Sequence, residues 1–320
     1  MNLRFILLLT MGITLSLTAC GQRSAKTADG MVEPTNSDAT ITQDAETEKT
    51  PVIIVTSQPT PKQGISNEPA KGLDWKDLPV IPEFISERTI DIYRNGQKLN
   101  NNKNAFSVVG DCDSTSSWFL GDFDKGSEYY SLGPYSDLEE VIKTFKGSFD
   151  RDSLAVRKGF NTSSVLSTLW ADPKICQSNE SPLDCEIRIF HPSIVFILLG
   201  SNDEFNLDKY ENNMREILNR LIDQGIVPIL ATKADNVEGG NLINAITARL
   251  AMEYDIPLWN FWRVVQDLPD HGLQQDETHL TWAHNYFDDP VAMEKAWPWR
   301  NLTALQVLDK VLKTVTASVH

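Results

Sequence analysis

A continuous apolar run near the middle of the chain constrains the fold most strongly. Residues 193–199 read Ser-Ile-Val-Phe-Ile-Leu-Leu, without the polar alternation of a strand that has one face in water. Such a run suits a strand that is covered on both faces, as in a parallel sheet. Amphipathic helical patterns stand on either side of it, so the sequence predicts βαβ units with right-handed crossovers.

Three further apolar runs are predicted strands, and four segments are predicted helices. The strands are 106–109, 226–230 and 256–261, although Pro228 weakens the second of them. The helices, which carry apolar residues at helical spacing, are 136–145, 207–224, 241–254 and 302–315. This alternation favours an α/β fold, with chemistry expected at the carboxyl ends of the strands.

The N-terminus has the pattern of an export signal. A positive start through Arg4 precedes the mostly apolar stretch 5–17, which is short for a membrane span and typical of a signal peptide. The sequence Leu-Thr-Ala-Cys-Gly at 17–21 resembles a bacterial lipobox. That resemblance implies a signal peptide over residues 1–19 and lipidation of Cys20. The alternative is a plain secretory signal with an incidental cysteine.

Residues 20–74 are predicted to form a disordered tether. From 21 to 72 the chain is rich in Ser, Thr and Pro and has no aromatic residue, so it cannot bury enough apolar surface to offset its ordering entropy. All eight Trp lie from Trp75 onward, which predicts one folded domain over residues 75–320. We expect a monomer that is anchored to the cell membrane by its N-terminal lipid and faces outside the cytoplasm.

Composition excludes several classes of protein. Hydrophobic residues make up 41% of the chain, which argues against a wholly disordered protein. The 44 Asp and Glu against 29 Lys and Arg give a net charge of −15, whereas a nucleic-acid binder would present a basic face. The sequence has no HExxH motif and no paired Cys-x-x-Cys spacing. We therefore expect no nucleic-acid partner, no metal and no cofactor.

Three polar clusters lie where chemistry is expected. Cys112 comes just after the first strand, where nearby backbone N–H groups would lower the pKa of its thiol; the alternative is a buried, inert cysteine. Asn202 lies in a Gly-Ser-Asn-Asp turn, where its amide could donate to an oxyanion or cap the turn. His279 follows Asp276 at three-residue spacing, which suits a general base with a carboxylate that orients it.

Taken together, the order and spacing of these clusters resemble the SGNH (GDSL-type) hydrolase family over residues 104–315. The resemblance implies a flavodoxin-like three-layer αβα sandwich. It also places Cys112 at the nucleophile position, with His279 and Asp276 as the remaining catalytic residues. Four stretches further resemble uncharacterised extracytoplasmic SGNH-type lipoproteins of Chloroflexi-like bacteria: 106–112, 181–186, 231–236 and 300–305.

Two residues depart from the family pattern. Cys112 replaces the family serine, with Ser114 and Ser116 as lower-ranked alternatives, and a thiolate is itself a strong nucleophile. Thr162 replaces a glycine whose N–H group, together with the Cys112 N–H and the Asn202 amide, would form the oxyanion hole. The other residues expected at the oxyanion hole or the cleft are Gly200, Asp111, Ser114, Gly159, Asp203 and Lys233. For Lys233 the alternative is a surface ion pair.

The four cysteines divide by position. If Cys20 is lipidated, three remain, and Cys176 and Cys185 bracket a short polar loop. Outside the cytoplasm this pair suits a disulfide. Cys112 is then the odd one out, and a thiol that is kept in an oxidising compartment favours a chemical role.

These patterns predict a lipid-anchored, extracytoplasmic SGNH-type hydrolase that cleaves an ester, with an acyl group on a cell-surface carbohydrate as a candidate substrate. Cys112 would attack, and His279, oriented by Asp276, would take its proton. The exchange of Ser for Cys leaves a second interpretation open: a degenerate SGNH domain that binds a glycan or a protein partner without turnover.

Overall fold

A four-stranded parallel sheet lies at the centre of the structure, a computed structural model that describes residues 74–318. The strands of the described residues are β1 (Asn102–Gly110), β2 (Tyr130–Ser131), β3 (Pro192–Leu198), β4 (Val227–Ala231), β5 (Leu258–Trp259) and β6 (Asn285–Tyr286). The central sheet has the order β1-β3-β4-β5, and every neighbouring pair is parallel. β2 and β6 form a separate two-stranded parallel sheet.

A single bridge extends the central sheet beyond β1. Val156 pairs with Gly110 in parallel orientation. The N–H of Gly110 donates to the Ala155 carbonyl at 3.1 Å, and the N–H of Arg157 donates to the Gly110 carbonyl at 3.4 Å. If this segment is counted as a reduced second strand, the order becomes 2-1-3-4-5, which is the flavodoxin-like order.

Helices cover the sheet. They are α1 (Glu87–Lys98), α2 (Asp122–Lys125), α3 (Glu139–Thr144), α4 (Thr162–Leu166), α5 (Pro182–Phe190), α6 (Leu207–Asp223), α7 (Leu242–Tyr254), α8 (Phe261–Val265) and α9 (Ala296–Ala317). α6 contacts α4, α7 and β4, whereas α9 contacts α1, α3 and α8. The side chains of β3 are buried on both faces, as the apolar run predicted. The predicted α/β fold with a covered parallel sheet is therefore confirmed.

Some elements differ in length from the prediction. β1 begins at Asn102, four residues before the predicted start, and α9 begins at Ala296, six residues before it. The strand predicted over 256–261 is reduced to β5, because the chain turns into α8 at Phe261. The helix predicted over 136–145 is a 3-10 helix, Gly133–Leu138, followed by α3.

Pro228 fits inside β4 because the N–H group that proline lacks would point toward β5, which does not pair with β4 at this position. The N–H groups of Leu230 and Thr232 donate to the carbonyls of Pro257 and Trp259, both at 3.1 Å. Alternate residues of a strand face the same neighbour, so position 228 also faces the β5 side. β5 pairs with β4 only from Leu230 onward. The proline therefore removes no hydrogen bond between these strands.

The predicted disulfide is confirmed. Cys176 and Cys185 are joined, with a Cα–Cα distance of 5.3 Å, and the bridge ties the loop before α5 to that helix. The predicted signal peptide, Cys20 and the tether up to residue 73 lie outside the described residues. Within residues 74–318, no helix is both long enough and apolar enough to cross a membrane.

Candidate active site

Cys112 begins a short 3-10 turn directly after β1. Asp111 caps the turn, since its carboxylate accepts a hydrogen bond from the Asp113 N–H at 3.2 Å. Glycine is required at position 110 because a Cβ there would lie 2.3 Å from Ser114 Oγ. The Cys112 side chain is partly buried. It lies at the carboxyl edge of β1, where sheets of this order bind their ligands.

Of the two serines considered as alternative nucleophiles, Ser116 is bonded elsewhere, and Ser114 is buried with an Oγ that has no hydrogen-bond partner among the described residues. Ser114 is buried, and its Oγ lies against Gly110. The hydroxyl of Ser116 donates to Asp152 Oδ1 at 2.9 Å. Of the three candidates in this segment, Cys112 is the one whose side chain lies within 4.8 Å of a His279 ring nitrogen and an Asp113 carboxylate oxygen.

The structure brings Cys112 and His279 together from distant parts of the chain. Cys112 Sγ, a ring nitrogen of His279 and a carboxylate oxygen of Asp113 all lie within 4.8 Å of one another. Cys112 Sγ is 4.0 Å from Asp113 Oδ1. Hydrogen bonds between catalytic groups are often long in the absence of substrate and tighten when it binds.

A tight turn holds His279 against Asp276. His279 Nδ1 lies 2.5 Å from Asp276 Oδ2, and the N–H groups of Thr278 and His279 donate to Oδ1 at 3.1 and 3.0 Å. Partial burial acts to raise the pKa of Asp276, but these hydrogen bonds outweigh it and hold the pKa below its usual value. An ionised carboxylate favours the tautomer with the proton on Nδ1, which leaves Nε2 as the acceptor.

Asn202 reaches the same edge from β3. It lies in the turn after Gly200, which has a φ of 142° and where a Cβ would come within 2.8 Å of Ile243 Cγ2. Asn202 Nδ2 donates to Asp111 Oδ2 at 3.3 Å and to the Phe160 carbonyl at 3.1 Å. Both amide hydrogens thereby tie neighbouring loops together. To stabilise an oxyanion, this amide would have to exchange one of these partners.

The prediction for Thr162 requires a correction. Thr162 is fully buried, and its N–H lies 3.2 Å from both carboxylate oxygens of Asp203, while its hydroxyl donates to Oδ1 at 2.6 Å. Desolvation raises the pKa of Asp203 to about 6, although these hydrogen bonds act to lower it. Asp203 is therefore a buried anchor and not a cleft residue. The Thr162 N–H satisfies it, because a buried carboxylate requires donors.

Gly159 shapes the backbone that leads into this segment. It adopts the left-handed region with a φ of 80°, and a Cβ at that position would meet no atom within 4 Å. Backbone conformation, and not space at a cleft, is therefore the reason for a glycine at this position.

Lys233 belongs to a buried ion network and not to a surface pair. Its Nζ lies 2.5 Å from Asp235 Oδ1 and 2.6 Å from Glu238 Oε2, and the three side chains are 10%, 4% and 0% exposed. The hydroxyl of Ser201 donates to Asp235 Oδ2 at 2.6 Å. The loop that carries these residues folds inward against the ends of β3 and β4, so the ion pair is not at the surface.

A small cavity of about 50 Å³ adjoins the Cys112 turn. It has room for a few water molecules. Asp111, Asp113, Lys233, Asp235 and Arg300 supply its charged lining. The carboxyl ends of the parallel strands therefore enclose a polar space beside Asp111 and Asp113, which flank Cys112 in sequence, in the place where an open α/β sheet binds ligands.

Arg300 of α9 is a site residue that the sequence analysis missed. It is 7% exposed, and its Nη1 donates to the Asp113 carbonyl at 2.6 Å. Its guanidinium carbon lies 4.9 Å from the ring centre of Phe119 and 5.1 Å from that of Trp297, within cation–π range. A charged residue on the apolar stripe of the last helix was the signal that could have identified it.

Arg300 places a buried positive charge beside the thiol. Burial lowers the pKa of its guanidinium, while the negative charges of Asp113, Asp111 and Cys112 act to raise it. Because Coulomb interactions are mutual, the same cation stabilises a thiolate at Cys112. Arg300 thus adds a positive charge to the backbone N–H groups that the sequence predicts beside the Cys112 thiol.

We expect the protonation of Asp111 to make the free energy of unfolding depend on pH. Burial raises the pKa of Asp111 to about 7, with Asp113 adding to the shift and Arg300 opposing it. The unfolded chain loses this proton near pH 4 and the folded chain near pH 7, so the folded state binds more protons between these values. The contribution of Asp111 to the free energy of unfolding must therefore fall as pH rises from about 4 to about 7.

Replacing Asp111 by asparagine removes this contribution. We expect Asp111→Asn to gain stability relative to the unmodified chain as pH rises through this window, measured as free energies of unfolding in urea at each pH. Asp203, the other acid with a pKa near 6, is present in both proteins and cancels in the difference. A difference that stays constant between pH 4 and pH 8 would contradict the prediction.

No protein-family model matches this sequence, and no curated protein matches it. Solved structures with a similar fold include a psychrotrophic esterase from Pseudoalteromonas sp., captured in a form inhibited by monoethylphosphonate. It is 16% identical with a TM-score of 0.41, and the match covers 66% of this chain and 99% of that one. A GDSL-like lipase from Bacteroides thetaiotaomicron is 14% identical with a TM-score of 0.40, over 69% of this chain and 98% of that one. These values are too low to assign a family or an activity.

Proposed function

We propose that this chain is an SGNH-type (GDSL-type) hydrolase that cleaves an ester through Cys112. The observation that carries the proposal is the placement of the Cys112 thiol within 4.8 Å of a ring nitrogen of His279, with Asp276 Oδ2 2.5 Å from Nδ1 of that ring. These three groups supply a nucleophile, a general base and an orienting carboxylate.

The reaction would proceed in two halves. His279 Nε2 takes the thiol proton as Cys112 Sγ forms a bond to the ester carbonyl carbon. The bond to the alcohol oxygen then breaks, and the imidazolium returns the proton to the leaving alkoxide. In the second half, water gives a proton to the same ring and attacks the thioester, which releases the carboxylic acid and restores the thiol. Asp276 stays ionised throughout and stabilises the imidazolium.

The oxyanion would be held by the Cys112 N–H and the Asn202 amide. Asn202 Nδ2 lies 3.3 Å from Asp111, a long hydrogen bond that a developing negative charge can displace. The Thr162 N–H has no part in this scheme, because Asp203 holds it. The hole is thus smaller than the family resemblance implies.

We also propose that the enzyme acts outside the cytoplasm and is anchored to the membrane through a lipid on Cys20. The support for this is the apolar signal followed by Leu-Thr-Ala-Cys-Gly at 17–21. The substrate class that suits such a location is an exposed ester, and an acyl group on a cell-surface carbohydrate is the candidate we favour.

Thiol alkylation tests the proposed function directly. We expect the purified full chain to hydrolyse an aryl acetate, and we expect iodoacetamide to abolish the activity because it caps the nucleophile. A Cys112→Ser variant is the matched control: any turnover that it retains should be insensitive to iodoacetamide. Hydrolysis that persists in the alkylated chain would refute the role of Cys112.

A binding role without turnover is the second candidate. The observation in its favour is that the Thr162 N–H and both hydrogens of the Asn202 amide are engaged within the protein. A chain of this kind would hydrolyse no ester yet retain a glycan or a protein partner at the same strand edge. Absence of hydrolysis across a panel of esters, together with glycan binding measured by calorimetry, would favour it.

A further inference from the structure

Cys112, Asp113 and His279 together form the donor set of a metal site, which we call the Cys112 cluster. Thiolate sulfur, carboxylate oxygen and imidazole nitrogen are the three ligand types that zinc takes in proteins. One such atom from each residue lies within 4.8 Å of the other two. Three protein ligands with a fourth position left for water is the arrangement of an open zinc site.

The distances in the Cys112 cluster are close to those of a tetrahedral site. With usual zinc–ligand bond lengths, donor atoms of a tetrahedron lie about 3.4 to 3.6 Å apart. Cys112 Sγ and Asp113 Oδ1 are 4.0 Å apart, and no two donor atoms of the cluster are more than 4.8 Å apart. Side-chain adjustments of about 1 Å or less at each ligand would therefore close the site.

The orientation of His279 is already that of a metal ligand. Its Nδ1 is bonded to Asp276 Oδ2 at 2.5 Å, so Nε2 is the ring nitrogen that remains for a cation. A carboxylate on the far nitrogen is the usual outer partner of a zinc-bound histidine, where it fixes the tautomer and increases ligand basicity. Asp276 thus supplies the outer shell that an isolated Cys-His contact would lack.

The charges around the Cys112 cluster also favour a cation. Asp113 is itself a proposed ligand, and Asp276, whose pKa lies below its usual value, is bonded to His279. Lys233 pairs with two carboxylates, Asp235 and Glu238, so this network carries one net negative charge, and Arg300 is the cation of the cavity lining that opposes a metal. The local excess of carboxylates makes the field attractive for a divalent ion.

A second group of possible ligands does not compete with this one. Cys176, Glu180 and Cys185 also lie close together, but the two sulfurs are bonded to each other. Arg188 holds the Glu180 carboxylate. Disulfide sulfurs are not thiolates, so this group lacks the donors that a zinc ion requires.

We propose that Cys112, Asp113 and His279 bind Zn²⁺, with His279 coordinating through Nε2 and Asp276 as its outer partner. Binding replaces the thiol proton by the metal: the S–H bond breaks, a sulfur–zinc bond forms, and the proton passes to solvent. The ion then occupies both the nucleophile and the base, so the loaded chain is unable to hydrolyse an ester. Metal binding itself goes beyond the proposed function and does not depend on it.

Cobalt(II) is the probe that tests this site, because its spectrum reports the ligands. The full chain would carry Cys20→Ser, so that Cys112 is its one cysteine outside the disulfide, and would be titrated with Co²⁺ without oxygen or thiol reductant. We expect a sulfur-to-cobalt charge-transfer band and strong tetrahedral d–d bands that saturate at one ion per chain. Zn²⁺ should displace the cobalt and abolish both features.

Substituting each proposed ligand tests its role, either through loss of the sulfur-to-cobalt band or through weaker cobalt binding. Cys112→Ser should lose the charge-transfer band, and His279→Gln and Asp113→Asn should weaken cobalt binding. Asp276→Asn should weaken it about 10- to 100-fold without removing the sulfur band, as expected for an outer partner. His284→Gln is the matched control, since His284 is exposed and packs against Trp282 and Tyr286. It should bind Co²⁺ like the parent chain.

Two results would overturn the site. One is a folded Cys20→Ser chain, verified by near-ultraviolet circular dichroism, that shows no sulfur-to-cobalt band at millimolar Co²⁺. The other is a band that survives Cys112→Ser. Because the spectrum requires no turnover, the two proposals can fail separately. A chain that binds cobalt but cleaves no ester after its metal has been removed would support the metal site and refute the proposed function, and the reverse pattern would do the opposite.

Discussion

Cys112→Ala is expected to lower kcat for aryl acetate hydrolysis by about 10⁴-fold or more, the scale found when a catalytic nucleophile is removed. Alanine leaves the turn after Gly110 and the hydrogen bond from the Asp113 N–H to Asp111 in place, but it provides no atom that can attack the carbonyl. Steady-state kinetics on the purified full chain measure the effect. KM should change much less than kcat, because the thiol contributes bonding mainly in the transition state.

The matched comparison is Cys112→Ser, which keeps a nucleophilic atom at the same position. It should retain more turnover than alanine, because His279 can still act as base toward a hydroxyl group. Thermal unfolding of both variants should resemble that of the parent chain, since the Cys112 side chain is only partly buried. An alanine variant that keeps its activity within tenfold would show that another residue attacks.

The largest effect on stability is expected from Arg151→Met, at about 3 to 5 kcal/mol of destabilisation. Arg151 Nη1 lies 2.8 Å from the carboxylate of Glu186, which is 1% exposed. The same carboxylate accepts hydrogen bonds from the Ser107 hydroxyl at 2.6 Å and the Leu154 N–H at 2.8 Å. Removing the arginine leaves a buried charge without its cation, and urea unfolding at pH 7 measures the loss.

A double variant separates the destabilisation that comes from the unpaired Glu186 charge from the destabilisation that comes from lost packing of Arg151. Arg151 also stacks on Phe190, with its guanidinium carbon 3.7 Å from the ring centre, and methionine keeps much of that contact. Adding Glu186→Leu to Arg151→Met removes the buried charge and should restore part of the lost stability, because replacing both partners of a buried pair is often neutral. If the double variant is less stable than Arg151→Met by the full cost of Glu186→Leu alone, the pair is not coupled.

The sequence was informative where the determining contacts are local. The run 193–199 predicted β3 because a strand that is buried on both faces is apolar at nearly every position. Asp276 and His279 could be paired because they lie three residues apart on one turn. Cys176 and Cys185 flank a short loop, so their disulfide was also predictable.

Contacts between distant segments account for what the sequence did not predict. Nothing near Thr162 in the chain indicates that Asp203 takes its N–H group, because the two residues are 41 positions apart and meet where α4 begins beside the turn after β3. Arg300 lies 187 residues from the Asp113 carbonyl that it binds. The burial of Lys233 depends on how its loop folds over the sheet, which local composition does not encode.

The strands of the central sheet are parallel, so long connections join them, and this determines when the site can form during folding. The connection from Gly110 to Pro192 runs through residues 111–191, so β1 and β3 meet only after a long loop has closed. Contacts of such sequence separation form slowly. During synthesis Cys112 emerges long before His279 and Arg300, so the thiol lacks the His279 ring until the 276–279 turn is in place and lacks the Arg300 guanidinium until α9 has docked. The surroundings that would activate Cys112 are therefore assembled late in folding, and a partly synthesised chain carries this cysteine without them.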